Sequence, residues 1–312
     1  MWLHRILQTE VFDGLEYRGF SDAGKIGSHS HTVIFFSMTN ILKAIQNLIS
    51  GHDIHVGEVR ESVNRANSLG EAFEVYIKNV FAGAFGLAGT AYQEKIEEAF
   101  SYQGSASKPP DLMIRGGDAI EIKKLQTKDS QIQLNSSFPK NKLHIEDSRI
   151  AAEAKSAESW TEKDILYVVG NVDARAKTVK SMWWVYGDCL IDEELDSVAE
   201  RIFLSDALSE EFKKNGEVRV ENLGVAGCLS LRFKAEWNLG CLANSLCGTG
   251  TSFLNVLMRE EKYNSFPTQD RAEIAKLKEE GKIQIRPIVF PCADGRMIAC
   301  KQIFSAEVVA YD

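Results

Sequence analysis

Pro109-Pro110-Asp111-Leu112-Met113-Ile114-Arg115-Gly116-Gly117-Asp118-Ala119-Ile120-Glu121-Ile122-Lys123-Lys124 is the stretch on which the reading of this chain turns. Two short apolar runs flank a Gly-Gly pair, which is the pattern of a β-hairpin. On the second strand, side chains alternate between faces, so Glu121 and Lys123 share one face while Ile120, Ile122 and Lys124 share the other. A strand with isoleucines packed behind it is a rigid platform for a polar pair. Asp111, at the head of the first strand, would supply a second carboxylate. Its side depends on the turn. A two-residue turn at Gly116-Gly117 pairs Arg115 with Asp118 and leaves Asp111 opposite Ile122, on the wrong face. A three-residue connection over 116–118 pairs Arg115 with Ala119, Met113 with Glu121 and Asp111 with Lys123, and all three polar side chains then share one face. An odd-length loop or a bulge is therefore expected, with a glycine at positive φ. Asp118 then reads as a turn residue.

Two carboxylates can hold magnesium and leave coordination positions for water and a phosphate oxygen, as phosphodiester hydrolysis requires. Lys123, two residues from one ligand, would stand beside the attacking water and offset developing charge. The competing reading of Glu121 and Lys123 is an ordinary solvated ion pair on a strand. Pro110-Asp111 upstream and the apolar opposite face argue against it.

Pro110-Asp111, nine intervening residues and Glu121-Ile122-Lys123 resemble the PD-(D/E)xK nuclease motif. Residues 68–81, 109–125, Asn135-Ser136-Ser137-Phe138-Pro139-Lys140 and Trp183-Trp184-Val185-Tyr186-Gly187-Asp188-Cys189 are similar to type II restriction endonucleases of the NgoPII kind. The resemblance covers roughly residues 38–240 and weakens after Leu223, where specificity elements are expected. It implies a restriction-endonuclease-like core, a mixed central sheet flanked by helices, and cleavage of double-stranded DNA at a short site, GGCC in that group. It further implies Mg2+ as cofactor, Asp111, Glu121 and Lys123 as catalytic residues, and a cognate methyltransferase acting on the same site. A palindromic target favours a homodimer. A structure-specific or repair nuclease would use the same residues, and a non-catalytic DNA-binding domain would bind without cutting.

The rest of the chain is compatible with this. Its 312 residues, 44% hydrophobic and 26% charged with 6 Pro, are enough for a full core and are typical of a folded protein. No apolar run approaches the roughly 20 residues that span a bilayer, and no signal-peptide core opens the chain, so a cytoplasmic location is expected. Six cysteines without a CxxC pair read as reduced thiols. The first 37 residues are rich in turn formers and show no sustained period. From Met38 the pattern changes: Thr39 or Asn40 can cap a helix with Ile41, Leu42, Ile45, Leu48 and Ile49 on one face, ended by Gly51. Residues 1–37 therefore read as an extension and 38–312 as the nuclease domain. A chain starting at Met38 is expected to fold and cut; insolubility of that truncation would place the first segment in the core.

Further helices are expected over 68–81, 91–100, 196–203 and 272–280, and strands over 112–114, 119–125, 165–169 and 182–186, an α/β (α+β) order. Glu71 and Glu74, on the helix before the hairpin, are candidate additional metal ligands, weighed against a solvated helix face. His52, His55 and His144 read as surface residues, His144 also as a phosphate contact. Net charge is −8, yet residues 108–149 carry eight Lys/Arg against six Asp/Glu. Within and beside that basic stretch, Lys124, Gln133, Asn135, Ser136, Ser137, Lys140 and Lys142 are the candidate DNA contacts.

Overall fold

The computed structural model describes residues 38–51, 54–56, 69–104, 108–125, 132–133, 140–173, 175–191, 219–223, 229–232, 236–239, 252–291 and 296–305. The N-terminal extension, the helix expected over 196–203, His52, Asn135, Ser136 and Ser137 lie outside them.

Helix α1 (Ile41–Gly51) begins at Asn40, whose side-chain oxygen accepts the Leu42 and Lys43 amides at 2.9 and 3.2 Å. Asn40 is thus the cap. Thr39 has another task, its hydroxyl donating to the Phe81 carbonyl at the end of α2 (Leu69–Ala82) at 2.6 Å. Ile41, Leu42, Ile45, Leu48 and Ile49 are all buried, as their spacing requires. Helix α3 (Gly89–Ala99) stops one residue short of the expected end because Phe100 already starts strand β1 (Phe100–Gln103). Strands β2 (Leu112–Ile114) and β3 (Ala119–Leu125) form the hairpin, with the expected limits. After β4 (Ile132–Gln133), β5 (Lys142–His144) and α4 (Ala152–Ser156) come two long strands, β6 (Glu162–Asp173) and β7 (Thr178–Tyr186). Both exceed the apolar runs that announced them. Their ends carry Glu162, Lys163, Asp164, Asp173 and Lys180, which periodicity alone assigns to loops.

The main sheet runs β1-β2-β3-β6-β7-β11-β13-β12, with β5 also paired to β6, where β11 is Leu254–Arg259, β12 Ile283–Pro291 and β13 Met297–Ser305. β3 and β6 pair in parallel, as do β7 and β11, and the other neighbours are antiparallel, so the sheet is mixed. A separate antiparallel sheet joins β4 to β10 (Glu236–Leu239), β9 (Leu229–Arg232) and β8 (Arg219–Leu223). Two later helices follow in the chain: α5 (Glu260–Ser265) and α6 (Thr268–Glu279), the latter starting four residues before its expected limit of 272. No described helix is long and apolar enough to cross a membrane. Cys189 and Cys300 are buried free thiols 3.8 Å apart.

One close approach seats α2 against the sheet. Gly170 on β6 pairs with Lys124 on β3, and a Cβ at Gly170 would stand 2.1 Å from the Phe73 ring. Phe73, fully buried, thus occupies the space that any other residue at 170 would need. Gly170→Ala is expected to lower stability by about 2 kcal/mol or more through overpacking. Denaturant unfolding should show this loss, and Phe73→Leu in the same chain should relieve part of it. Equal losses with and without Phe73→Leu would disprove the contact.

Candidate active site

The register of the hairpin decides which side chains meet. β2 and β3 pair Leu112 with Ile120 and Met113 with Ala119. Ile114 N–H donates to the Asp118 carbonyl at 2.9 Å, and Gly117 N–H to the Ile114 carbonyl at 3.0 Å. The connection is therefore three residues, 115–117, with Gly116 at φ 64°. It is odd-length with a positive-φ glycine, but it lies one residue earlier than the expected 116–118. The pairing corrects accordingly: continued by one step, it sets Asp111 opposite Glu121, not Lys123. Parity is unchanged, so the three side chains still share a face. Asp118 also has a different role from the expected turn former. This residue is withdrawn from the turn, its carboxylate accepting the Tyr186 hydroxyl at 2.6 Å and the Lys262 ammonium at 2.6 Å. Lys262 also donates to Asp164 at 2.6 Å.

Asp111 is held from two sides. Its backbone carbonyl accepts Gly104 N–H at 2.6 Å, and one carboxylate oxygen accepts Ile122 N–H at 2.6 Å. Burial, followed by the Glu121 charge, pushes its carboxyl up from 3.8 to about 7, with the Ile122 amide and Lys123 opposing and Glu74 adding to the rise. Glu121 is buried at 7% exposure. Its Oε1 accepts the Lys123 ammonium at 2.7 Å, while its Oε2 is buried with no hydrogen-bond partner. Such an oxygen carries a desolvation cost that a ligand would remove. Asp111, Glu121 and Lys123 are thus brought together on one rigid strand pair.

The two α2 glutamates are placed differently. Glu74 is paired with Lys78 at 2.9 Å and lies close enough to act on the Asp111 carboxyl. Glu71 is exposed one turn earlier.

Of the candidate DNA contacts, Lys124 projects from the face of β3 opposite Glu121 and Lys123, by the alternation of the strand. Gln133 belongs to β4. Lys140 is 7% exposed and ion-paired with Asp147, a setting that argues against a phosphate contact. Asp147 in turn is held well below the ordinary carboxylate range, burial being outweighed by bonds from Arg149 and Lys140. Lys142 is part exposed and ion-paired with Glu162, with Asp164 at 3.7 Å. His55 and His144 are exposed, His144 lying 3.6 Å from Glu162. The Asp118–Tyr186–Lys262–Asp164 network escaped sequence reading. A residue after Gly-Gly looks like a turn former, and Lys262 in Glu260-Glu261-Lys262 looks like a solvated helix position.

The model of the NgoPII restriction endonuclease family matches residues 39–290 of the chain. The type II restriction enzyme NgoPII of Neisseria gonorrhoeae is 37% identical over 246 residues, covering 74% of this chain and 87% of that protein. The family match runs well past Leu223, so the later part of the chain belongs to the likeness that sequence reading ended near 240. No solved structure matches the chain.

Proposed function

The chain belongs to the NgoPII restriction endonuclease family, and from that premise we propose that it is a type II restriction endonuclease that hydrolyses double-stranded DNA at a short palindromic site, with magnesium bound between Asp111 and Glu121. The observation that carries this reading is the opposition of two carboxylates across the hairpin with Lys123 at 2.7 Å from one of them. GGCC is the target implied by the family likeness. A homodimer fits a palindrome. A methyltransferase of the same specificity would protect host DNA in the cytoplasm.

The residues suit a hard divalent cation. The partnerless Glu121 Oε2 and the Asp111 carboxyl, held at the edge of ionisation by its surroundings, are oxygen donors in need of positive charge. Among the described residues no group of three or more His, Cys, Asp or Glu is placed to hold a metal ion, so the hairpin offers two carboxylates. Magnesium commonly keeps several waters and takes only one or two carboxylates. When bound, it would neutralise phosphate charge and lower the pKa of a coordinated water. Lys123 would orient the attacking water and stabilise the negative charge that grows on the phosphate oxygens. The Ile122 amide fixes one Asp111 oxygen, and the isoleucines behind β3 keep the face rigid. Glu74 would have to leave its pair with Lys78 to reach the metal, and Glu71 is the weaker candidate, being one turn further out.

The test is incubation of the purified protein with unmethylated plasmid, with and without magnesium, followed by sequencing of the ends. Discrete fragments ending in one sequence, formed only with magnesium, are expected. Scattered ends would identify a structure-specific nuclease, and binding without cleavage a non-catalytic domain. Affinity for DNA should fall steeply with salt. Lys142→Ala, at a part-exposed position, should reduce the slope of log K against log salt by about one. Lys140→Ala should leave the slope unchanged and lower stability, because that ammonium is buried against Asp147. The opposite pattern would restore Lys140 to the DNA surface.

A further inference from the structure

The turn that sets Asp111 against Glu121 is gripped from outside the hairpin. Lys163 on β6 is buried at 6% exposure, and its ammonium donates to the Gly117 carbonyl at 2.6 Å. The same ammonium meets Glu158 Oε1 as an ion pair. Glu158 Oε2 accepts the Gly116 N–H at 2.8 Å. One ion pair thus serves a donor and an acceptor of two successive turn residues, both groups left over by the hairpin's own bonds. On the other flank, Arg115 N–H donates to the Ala99 carbonyl at 2.9 Å, and its guanidinium to the Glu97 and Phe100 carbonyls at 2.8 and 3.1 Å. A Gly-Gly turn is permissive by itself, so its conformation has to be imposed by its surroundings.

We propose that the Glu158–Lys163 ion pair positions the catalytic hairpin: by fixing the Gly116 amide and the Gly117 carbonyl it selects the three-residue turn, and with it the register in which Asp111 opposes Glu121 toward a divalent cation. This rests on the proposed function of that carboxylate pair. A slip of one residue would carry Asp111 to the other face, and a slip of two would draw it past Glu121. A buried ion pair is a weak source of stability, since desolvation offsets most of the attraction. What this pair supplies is a fixed donor and acceptor at a turn that several alternative geometries could otherwise fill. Neither residue touches the reacting groups, so both are positioning residues.

The decisive variant is Glu158→Gln/Lys163→Met in the full chain, which removes both charges and leaves none unpaired. Without metal, amide exchange of the peptide spanning 111–125, Ile122 included, is expected to accelerate at least about tenfold. The magnesium concentration for half-maximal cleavage should rise by about tenfold or more, as for other supports of metal ligands, while DNA affinity measured without divalent cation stays within about twofold. Glu158→Asp keeps the charge beside Lys163 but shortens the reach to the Gly116 amide, and it should move both readouts in the same direction by less, which provides the answer if the double variant folds poorly. Wild-type exchange and wild-type magnesium dependence in a folded variant would overturn the proposal. A wild-type protein that never cleaves would instead overturn the reading of the site, and the exchange measurement would still decide whether the pair holds the register.

Discussion

Asp111→Asn should yield a protein that is inactive and, at pH 8, more stable than wild type. Cleavage is expected to fall on the order of 10³-fold or more, because the amide cannot supply the charge that a metal ligand must. The gain in stability follows from the raised carboxyl. Folded Asp111 titrates near 7 and the unfolded side chain at 3.8. Below the lower value both states are protonated and nothing is lost. Between the two the unfolded chain ionises first, stability falls with rising pH, and above about 7 the loss is complete. Asparagine avoids this loss and can still accept the Ile122 amide. The melting temperature should therefore rise by on the order of a few degrees at pH 8, and by less at pH 5. Magnesium should stabilise the wild type at pH 8 and leave the variant unmoved. Thermal scans at both pH values, with and without magnesium, provide the check. A variant whose advantage over wild type is no larger at pH 8 than at pH 5 would mean that Asp111 is not the strained group of the site.

The elements of this site were legible to different degrees, for identifiable reasons. Glu121 and Lys123 fall on one face by the period of a strand, a local property, and the limits of β2 and β3 follow from their apolar runs. The register is not local. The turn is met by Glu158 and Lys163 from outside the hairpin, and the Asp118 carboxylate by Tyr186 and Lys262, which lie 68 and 144 residues along the chain. The setting of Lys140 is hidden for a related reason: a lysine near a basic stretch looks like a phosphate contact, and only the folded chain shows its backbone amide donating to the Tyr167 hydroxyl at 2.7 Å while its ammonium pairs with Asp147. The small sheet of β4, β8, β9 and β10 had no sequence signature because its strands are two to five residues long. Gly170 is illegible alone, since its role is the space occupied by Phe73.

The second large effect concerns the other aspartate of the hairpin, and it should be the mirror image of the first. Asp118 is 8% exposed and shares Lys262 with Asp164, while Lys262 lies 5.0 Å from the centre of the Tyr186 ring. Burial works against the Lys262 charge, and the two carboxylates overcome it, raising its pKa above the ordinary lysine value. Breaking such a cluster by removing one partner leaves an uncompensated charge, at a cost of about 3 kcal/mol or more. Lys262→Met and Asp118→Ala should each lose that much in denaturant unfolding. The double variant should lose less than the sum, because the two residues interact directly. Cleavage by the folded fraction at low temperature, in contrast, should stay within about tenfold of wild type, since Glu158 and Lys163 still hold the turn and no reacting group has been touched. Asp111→Asn is thus stable and inactive where Asp118→Ala is unstable and active. If Asp118→Ala abolished cleavage with its melting temperature intact, Asp118 would replace Asp111 as the metal-binding carboxylate.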